Sequence, residues 1–188
     1  MGALRAYSGA KISSTARSAR SSIEPTNAAD LTMTDRSTLP WLTFDCYDTL
    51  VTYSESKAEC LAELIRARGG DGDTIDTAQA AFETREREIQ TGPFKLLNAV
   101  LSESLNDAMA AAGMDCTVND EAALIDAVCM APPFNDVPEA MRALKENFRL
   151  AVLSNSEPDI IRHSIIRIGT GMDAIVLAAD AKCYKPAP

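Results

Sequence analysis

The sequence predicts an α/β protein with a parallel sheet of short buried strands. Three short apolar runs, each ending abruptly in polar residues, support this prediction: Trp41–Phe44, Leu150–Leu153 and Ile175–Ala178. Runs of this length with such endings are typical of buried strands. Helical periodicity fills the segments between them, and alternating strands and helices favour a parallel sheet with right-handed crossovers.

Polar residues that could bind or react with a ligand follow each predicted strand: a carboxylate, a hydroxyl with an amide, and a lysine. The first strand continues into Asp45–Thr49, the second into Ser154–Ser156, and the third is followed by Tyr184–Pro188 with its lysine. Ligands bind outside the carboxyl ends of strands in open parallel sheets, so we expect Asp45 at a functional site. An ordinary Asp/Thr turn is the alternative, because both residue types bond their own backbone in turns.

Helices are predicted in the remaining segments, where apolar residues recur at helical spacing. The segment between the first two strands contains four of them: Glu55–Arg68, Thr74–Gln90, Phe94–Ala112, and a fourth capped by Asn119 or Asp120 that runs to about Met130. Two more helices are predicted at Val137–Asn147 and Pro158–Ile168.

Composition narrows the partners and the compartment. The 188 residues carry a net charge of -9, which argues against a nucleic-acid or anionic-membrane partner. No apolar run approaches the roughly 18 residues that cross a membrane. The five cysteines are scattered without metal-ligand spacing, so we expect free thiols and a cytoplasmic location. Cys46 is expected to be a buried small side chain rather than a reactive thiol.

Residues 1–39 differ in composition from the rest of the chain. The first 22 contain four basic residues, many serines and no acidic residue. This composition is compatible with a transit peptide, so residues 1–32 would direct the chain to mitochondria. A disordered extension and a start at Met33 are the alternatives, and in each case we expect the tail to lie outside the fold.

The motif order resembles the haloacid dehalogenase superfamily. Asp45–Thr49 is similar to the Asp-x-Tyr-Gly-Thr motif of its 2-haloacid dehalogenase (type II) branch, because Tyr47 stands two positions after the Asp. The Ser154-Asn155 pair and Tyr184–Pro188 are similar to later motifs of that branch.

The resemblance runs from about residue 41 to the last residue and implies a Rossmann-like parallel sheet with an inserted helical cap. It divides the chain into a tail (1–39), an α/β core (40–54 and 135–188) and a cap (55–134).

The resemblance also implies roles for five residues and a small anionic substrate. Asp45 would displace halide from carbon 2 of a short 2-haloalkanoic acid and form an ester that water cleaves. Lys185 would keep that carboxylate ionised, and Thr49 would fix its rotamer. Ser154 and Asn155 would donate hydrogen bonds to the substrate carboxylate or to an oxyanion.

Two positions of the first motif carry further expectations. In the superfamily's phosphatases, Asp occupies the position of Tyr47 and serves as the general acid. Tyr, with an ordinary pKa of about 10, donates protons poorly at neutral pH, and halide leaves without one. Tyr47 therefore favours dehalogenation and is placed in the substrate site. Asp48 replaces the family's Gly, so we expect a second charge beside Asp45 and a backbone without left-handed angles there.

The cap departs from the family pattern at one position. Dehalogenases of this branch receive the halide on an Arg in the second cap helix, and the matching position is Glu83 or a neighbour. Arg85 and Arg87 are the nearby candidates for substrate binding. A solvated helix face is the alternative, with Glu83 and Arg87 forming an ion pair at i,i+4 spacing.

The family's sheet continues beyond the last motif found here. At least two further strands and a fourth, acidic motif would follow, so we expect a truncated chain whose first strand has an unpaired edge, which favours a homodimer. No cofactor is predicted with certainty, and Mg²⁺ is expected only if the chain acts as a phosphatase. A phosphatase of small phosphorylated metabolites and an inactive homologue acting as a binding module are the alternative functions.

Overall fold

A three-stranded parallel sheet, whose strands lie side by side in chain order, organises the α/β core. The structure, a computed structural model, describes residues 35–186. The strands are β1 (Trp41–Phe44), β2 (Arg149–Ser154) and β3 (Ala174–Leu177). The register pairs Phe44 with Val152 and Ser154 with Leu177, so all three carboxyl ends meet at one edge. Within residues 35–186, β1 has no partner strand on its other side.

The described residues form seven α-helices and one short 3-10 helix, Arg36–Thr38. Four of the α-helices, the cap helices, connect β1 to β2: α1 (Tyr53–Arg66), α2 (Gly72–Gln90), α3 (Leu97–Ala111) and α4 (Val118–Met130). The others are α5 (Val137–Asn147) before β2, α6 (Pro158–Ile168) between β2 and β3, and α7 (Ala178–Ala181) after β3. Predicted bounds agree to within three residues, whereas α7 is too short to show a helical period in sequence.

The start of α4 corrects a prediction. Neither Asn119 nor Asp120 is the N-cap; Thr117 is, because it forms a capping box with Asp120. The Thr117 hydroxyl accepts the Asp120 N–H at 3.3 Å, and the Asp120 carboxylate accepts the Thr117 N–H at 2.8 Å. Arg68, in the turn that follows α1, donates to the same carboxylate at 2.7 Å, which ties the end of α1 to the start of α4.

Apolar side chains form two buried clusters. The cap cluster is centred on Leu101 and Leu105 of α3 and Leu124 of α4, all fully buried. The sheet cluster contains Leu150 of β2 together with the α5 and α6 residues that cover it. Burying one such side chain is worth about 1.5–3 kcal/mol. Tyr47 packs against both clusters and therefore lies at the junction of cap and core.

The end of the predicted tail belongs to the fold. Arg36 donates to the backbone carbonyl groups of Lys145 and Phe148 and forms a 3.0 Å ion pair with Asp173. A guanidinium group at the end of a helix satisfies carbonyl groups that have no partner in the helix, here those of Lys145 in the last turn of α5 and of the C-cap residue Phe148. The fold therefore begins before residue 40, while the transit-peptide hypothesis and Met33 lie outside the described residues.

Two further expectations concern membranes and thiols. None of the helices in residues 35–186 combines the length and apolar character needed to span a bilayer.

All five cysteines lie in this range as free thiols, as predicted, and Cys46 is fully buried. Burial raises the pKa of the Cys46 thiol to about 12, and the negative charge of Asp45 adds to the effect. This thiol is therefore a core group.

Candidate active site

An ion pair between Asp45 and Lys185 lies at the carboxyl edge of the sheet. Asp45 directly follows β1, and the Lys185 ammonium donates to its Oδ1 at 2.8 Å. The backbone N–H of Cys46 donates to the same oxygen at 2.7 Å. Among the described residues no donor reaches Oδ2, so this oxygen keeps its lone pairs. The two side chains are 47% and 39% exposed, which leaves the carboxylate accessible from solvent.

Backbone contacts fix Lys185 across the ends of two strands. Its ammonium also donates to the Leu153 carbonyl oxygen of β2 at 2.6 Å. Its backbone N–H donates to Oδ1 of Asn155 at 2.7 Å. The first bond holds the ammonium and the second holds the backbone of the same residue. The amide nitrogen of Asn155 stays available to donate elsewhere.

Tyr47 links this edge to the cap. Its hydroxyl lies 3.2 Å from Oγ of Ser156, and its ring centroid lies 4.5 Å from that of Tyr53 in α1. Burial raises the pKa of Tyr47 to about 12, which outweighs the opposing hydrogen bond with Ser156. The phenol therefore stays protonated at neutral pH and holds its proton more tightly than an exposed tyrosine does.

The backbone at Asp48 contradicts the expectation drawn from the missing glycine. Its φ is +57°, in the left-handed region, so the prediction of ordinary backbone angles is wrong. Asp tolerates this region because its short side chain bonds locally. Here the carboxylate accepts the Ser54 N–H at 2.7 Å and the Ser54 hydroxyl at 2.6 Å. The charge of Asp48 is therefore directed to the start of α1.

Ser154 and Thr49 lie near the edge of the sheet but make no hydrogen bond with Asp45. Ser154 ends β2 beneath the edge, and its buried hydroxyl has no hydrogen-bond partner within residues 35–186. Thr49 is exposed in the turn after the first motif, where its backbone N–H donates to the Cys46 carbonyl oxygen at 3.4 Å. No hydrogen bond joins the Thr49 hydroxyl to Asp45.

The two candidate arginines of α2 have different surroundings. Arg85 faces α3, where it pairs with Glu103 at 3.1 Å and Asp107 at 3.4 Å. Arg87 lines a cavity between α1 and α2, together with Glu83. The predicted Glu83–Arg87 ion pair is absent: within the described residues, neither side chain has an ion-pair partner inside 4.0 Å. Asp45 and Lys185 are not among the residues that line this cavity.

Tyr184 connects the Lys185 loop to the cap, a role that sequence reasoning missed. Its hydroxyl donates to the Lys95 carbonyl oxygen and accepts the Lys95 N–H, both at 2.9 Å. Its ring centroid lies 5.3 Å from that of Phe94. A second link runs from the Asn98 N–H to the Glu157 carboxylate at 3.0 Å. These contacts join residues 59 or 89 positions apart, so no local pattern could have revealed them.

Residues 35–186 contain no cluster of side chains that would hold a metal ion by itself. Mg²⁺ requires near-octahedral oxygen coordination. Across residues 35–186 no three His, Cys, Asp or Glu side chains converge as a metal-binding group. Asp45 lies instead against the ammonium of Lys185, and the Asp48 carboxylate is bonded to Ser54.

Comparison with known proteins identifies the family. The family model of haloacid dehalogenase-like hydrolases matches residues 40–188, so the chain belongs to this family of hydrolases. It is similar to the (S)-2-haloacid dehalogenase of Pseudomonas sp. (strain YL), with 26% identity over 148 residues that cover 77% of this chain and 63% of that protein. The chain thus spans less than two thirds of the length of this curated relative.

Solved structures support the same fold. The L-2-haloacid dehalogenase from Xanthobacter autotrophicus with chloropropionic acid covalently bound has a TM-score of 0.64 and 18% identity, covering 80% of this chain and 61% of that chain. The candidate HAD-hydrolase YfnB from Bacillus subtilis, bound to magnesium, has a TM-score of 0.66 and 15% identity, covering 79% and 69%. The fold is thus the family's α/β fold with a helical cap.

Proposed function

We propose that this hydrolase is a 2-haloacid dehalogenase with Asp45 as its nucleophile. The observation that carries the proposal is the 2.8 Å contact between Asp45 Oδ1 and the Lys185 ammonium, at the edge where parallel-sheet enzymes bind ligands. The ammonium and the Cys46 N–H engage only Oδ1, which leaves the lone pairs of Oδ2 free to attack a substrate carbon.

The reaction proceeds in two displacements. Oδ2 of Asp45 attacks carbon 2 of a short 2-haloalkanoic acid, and the carbon–halogen electron pair leaves with the halide. Water then adds to the Asp45 carboxyl carbon of the resulting ester, which breaks to give the 2-hydroxy acid, the regenerated carboxylate and one proton. Splitting one difficult step into two easier ones is the general advantage of covalent catalysis.

Substrate binding is assigned to the groups around this carboxylate. Asn155 uses Oδ1 to hold Lys185, and its amide N–H groups would donate to the substrate carboxylate. Ser154, whose buried hydroxyl lacks a partner in the described residues, and Thr49 complete the polar set in this proposal. Arg85 is engaged by α3 and Arg87 lines a separate cavity, so neither is retained as the halide acceptor.

Tyr47 separates the two hydrolase alternatives. A phosphatase must protonate the leaving oxygen, whereas halide departs as a stable anion. The pKa of Tyr47, raised to about 12 by burial, makes it a poor proton donor at neutral pH. Dehalogenation is therefore favoured over hydrolysis of a phosphorylated metabolite.

Release of halide and of phosphate by the purified chain tests the proposal. The substrates are (S)-2-chloropropionate and a panel of phosphomonoesters with Mg²⁺. We expect chloride release, lowered by at least about 10³-fold in Asp45→Asn, because loss of a nucleophile removes the covalent route. Asp115→Asn, which changes an exposed Asp of the cap, is the matched control and keeps wild-type release.

The other outcomes select among the alternatives. Mg²⁺-dependent phosphate release without chloride release would replace the proposal with the phosphatase. A folded chain that releases neither product, and that associates as its concentration rises, would support the inactive binding module.

A further inference from the structure

The cap contains a cavity that the proposed reaction does not use. It lies between α1 and α2, has a volume of about 380 Å³, and reaches Asp48 of the first motif. This volume is within the range of small-molecule sites, about 300–1,000 Å³. Its apolar lining comes from Ala58, Leu61 and Phe82, which would suit a short aliphatic group.

A buried ammonium lines this cavity. Lys57 is only 8% exposed, and its Nζ donates to the Glu86 carboxylate at 2.6 Å. The ammonium also lies 4.1 Å from the ring centroid of Tyr53 and 5.1 Å from that of Phe82. It has three N–H donors, and within residues 35–186 Glu86 is the one hydrogen-bond acceptor they reach. The remaining donors are suited to an anionic group in the cavity.

Two opposite charges stand at the mouth of the cavity. Glu83 and Arg87 are one helical turn apart on α2, are both exposed, and line the cavity without pairing with each other. Residues at this spacing ordinarily attract one another when their charges are opposite. Both charges are therefore available to a ligand that carries the complementary pair.

The charges of the lining define the ligand. The cavity lining carries three carboxylates (Asp48, Glu83 and Glu86) and two cations (Lys57 and Arg87), which gives the lining a net charge of -1. A simple anion would enter against this net charge, and a simple cation would leave the Lys57 donors unused. A molecule that carries a carboxylate and an ammonium group side by side can bind the cations and the carboxylates of the lining at the same time.

We propose that the cavity between α1 and α2 binds a small aliphatic amino acid. The ligand carboxylate lies between Lys57 and Arg87, its ammonium lies toward Glu83, and its side chain packs on Phe82. This inference is independent of the chemistry at Asp45, because binding is measured without turnover.

Isothermal titration of the whole chain with three matched probes tests the proposal. L-Norvaline carries both charged groups, pentanoate lacks the ammonium, and butan-1-amine lacks the carboxylate. We expect norvaline to bind at least about tenfold more tightly than either probe, a difference of about 1.4 kcal/mol. Equal binding of all three probes, or no binding of norvaline, would overturn the proposal.

Variants at the mouth of the cavity test its location. Arg87→Gln and Glu83→Gln change exposed residues and should leave folding intact, yet each is expected to weaken norvaline binding about tenfold. Arg66→Gln and Glu88→Gln make the same chemical changes at exposed positions outside the cavity and keep wild-type affinity. Norvaline affinity that stays unchanged in both mouth variants would reject this site.

Discussion

Two lysine–carboxylate ion pairs in this protein have similar geometry but opposite surroundings. Lys185 and Asp45 lie 2.8 Å apart with 39% and 47% of their side chains exposed. Lys57 and Glu86 lie 2.6 Å apart with only 9% and 14% exposed. Water screens the first pair, whereas the second is largely shielded from bulk solvent, so each of its charges depends more strongly on its partner. A short distance alone therefore does not indicate how much a pair matters for stability.

The largest effect is expected from breaking the buried pair. Lys57→Met leaves the Glu86 carboxylate buried without its cation, which should lower the free energy of unfolding by about 3–5 kcal/mol. Urea denaturation at pH 7 measures this loss. The double variant Lys57→Met/Glu86→Leu removes both charges and should recover most of it. A loss below about 1 kcal/mol in the single variant would mean that water reaches the pair.

An intermediate effect is expected at the capping box of α4. Burial disfavours the charge of Asp120, but hydrogen bonds from Arg68 and Thr117 outweigh it and hold the pKa of Asp120 below its ordinary value. Asp120→Asn should therefore cost about 1–3 kcal/mol at pH 7, because the ionised acceptor is lost.

The pH dependence of this cost has a definite direction. Because the folded-state pKa lies below the unfolded value of about 3.9, the stabilisation is complete above that pH and disappears as pH falls through the folded pKa. The difference in unfolding free energy between wild type and Asp120→Asn, measured at pH 7, 5 and 3, should narrow only at the lowest pH. A constant difference across the series would show that the charge of Asp120 does not contribute.

The smallest effect on stability is expected from the exposed pair. Lys185→Met should change the free energy of unfolding by less than about 1 kcal/mol, because solvent screens both partners. Under the proposed function the same variant loses most of its chloride release. An unfolding cost comparable to that of Lys57→Met would contradict the contrast between the two pairs.

The sequence predicted the exposed pair but not the buried one. The family resemblance implied that Lys185 lies beside Asp45, and both residues follow predicted strands, whose carboxyl ends meet at one edge of a parallel sheet. Lys57 and Glu86 lie on two separate helices, and helical periodicity gives no information on which faces meet. The left-handed angle of Asp48 was missed because the absence of glycine argued against it, whereas Asp tolerates this region when its side chain bonds nearby, here to Ser54.

The double hydrogen bond between the Tyr184 hydroxyl and the Lys95 peptide couples two events that are usually considered separately. Any rotation of the cap that moves the connection between α2 and α3 must either break both bonds or draw Lys185 away from Asp45. Under the proposed function, opening of the site to solvent and loss of the counter-ion of Asp45 would then occur in the same movement. If the proposed function holds, the Asp45 carboxylate would keep its counter-ion only while the cap remains in the position described here.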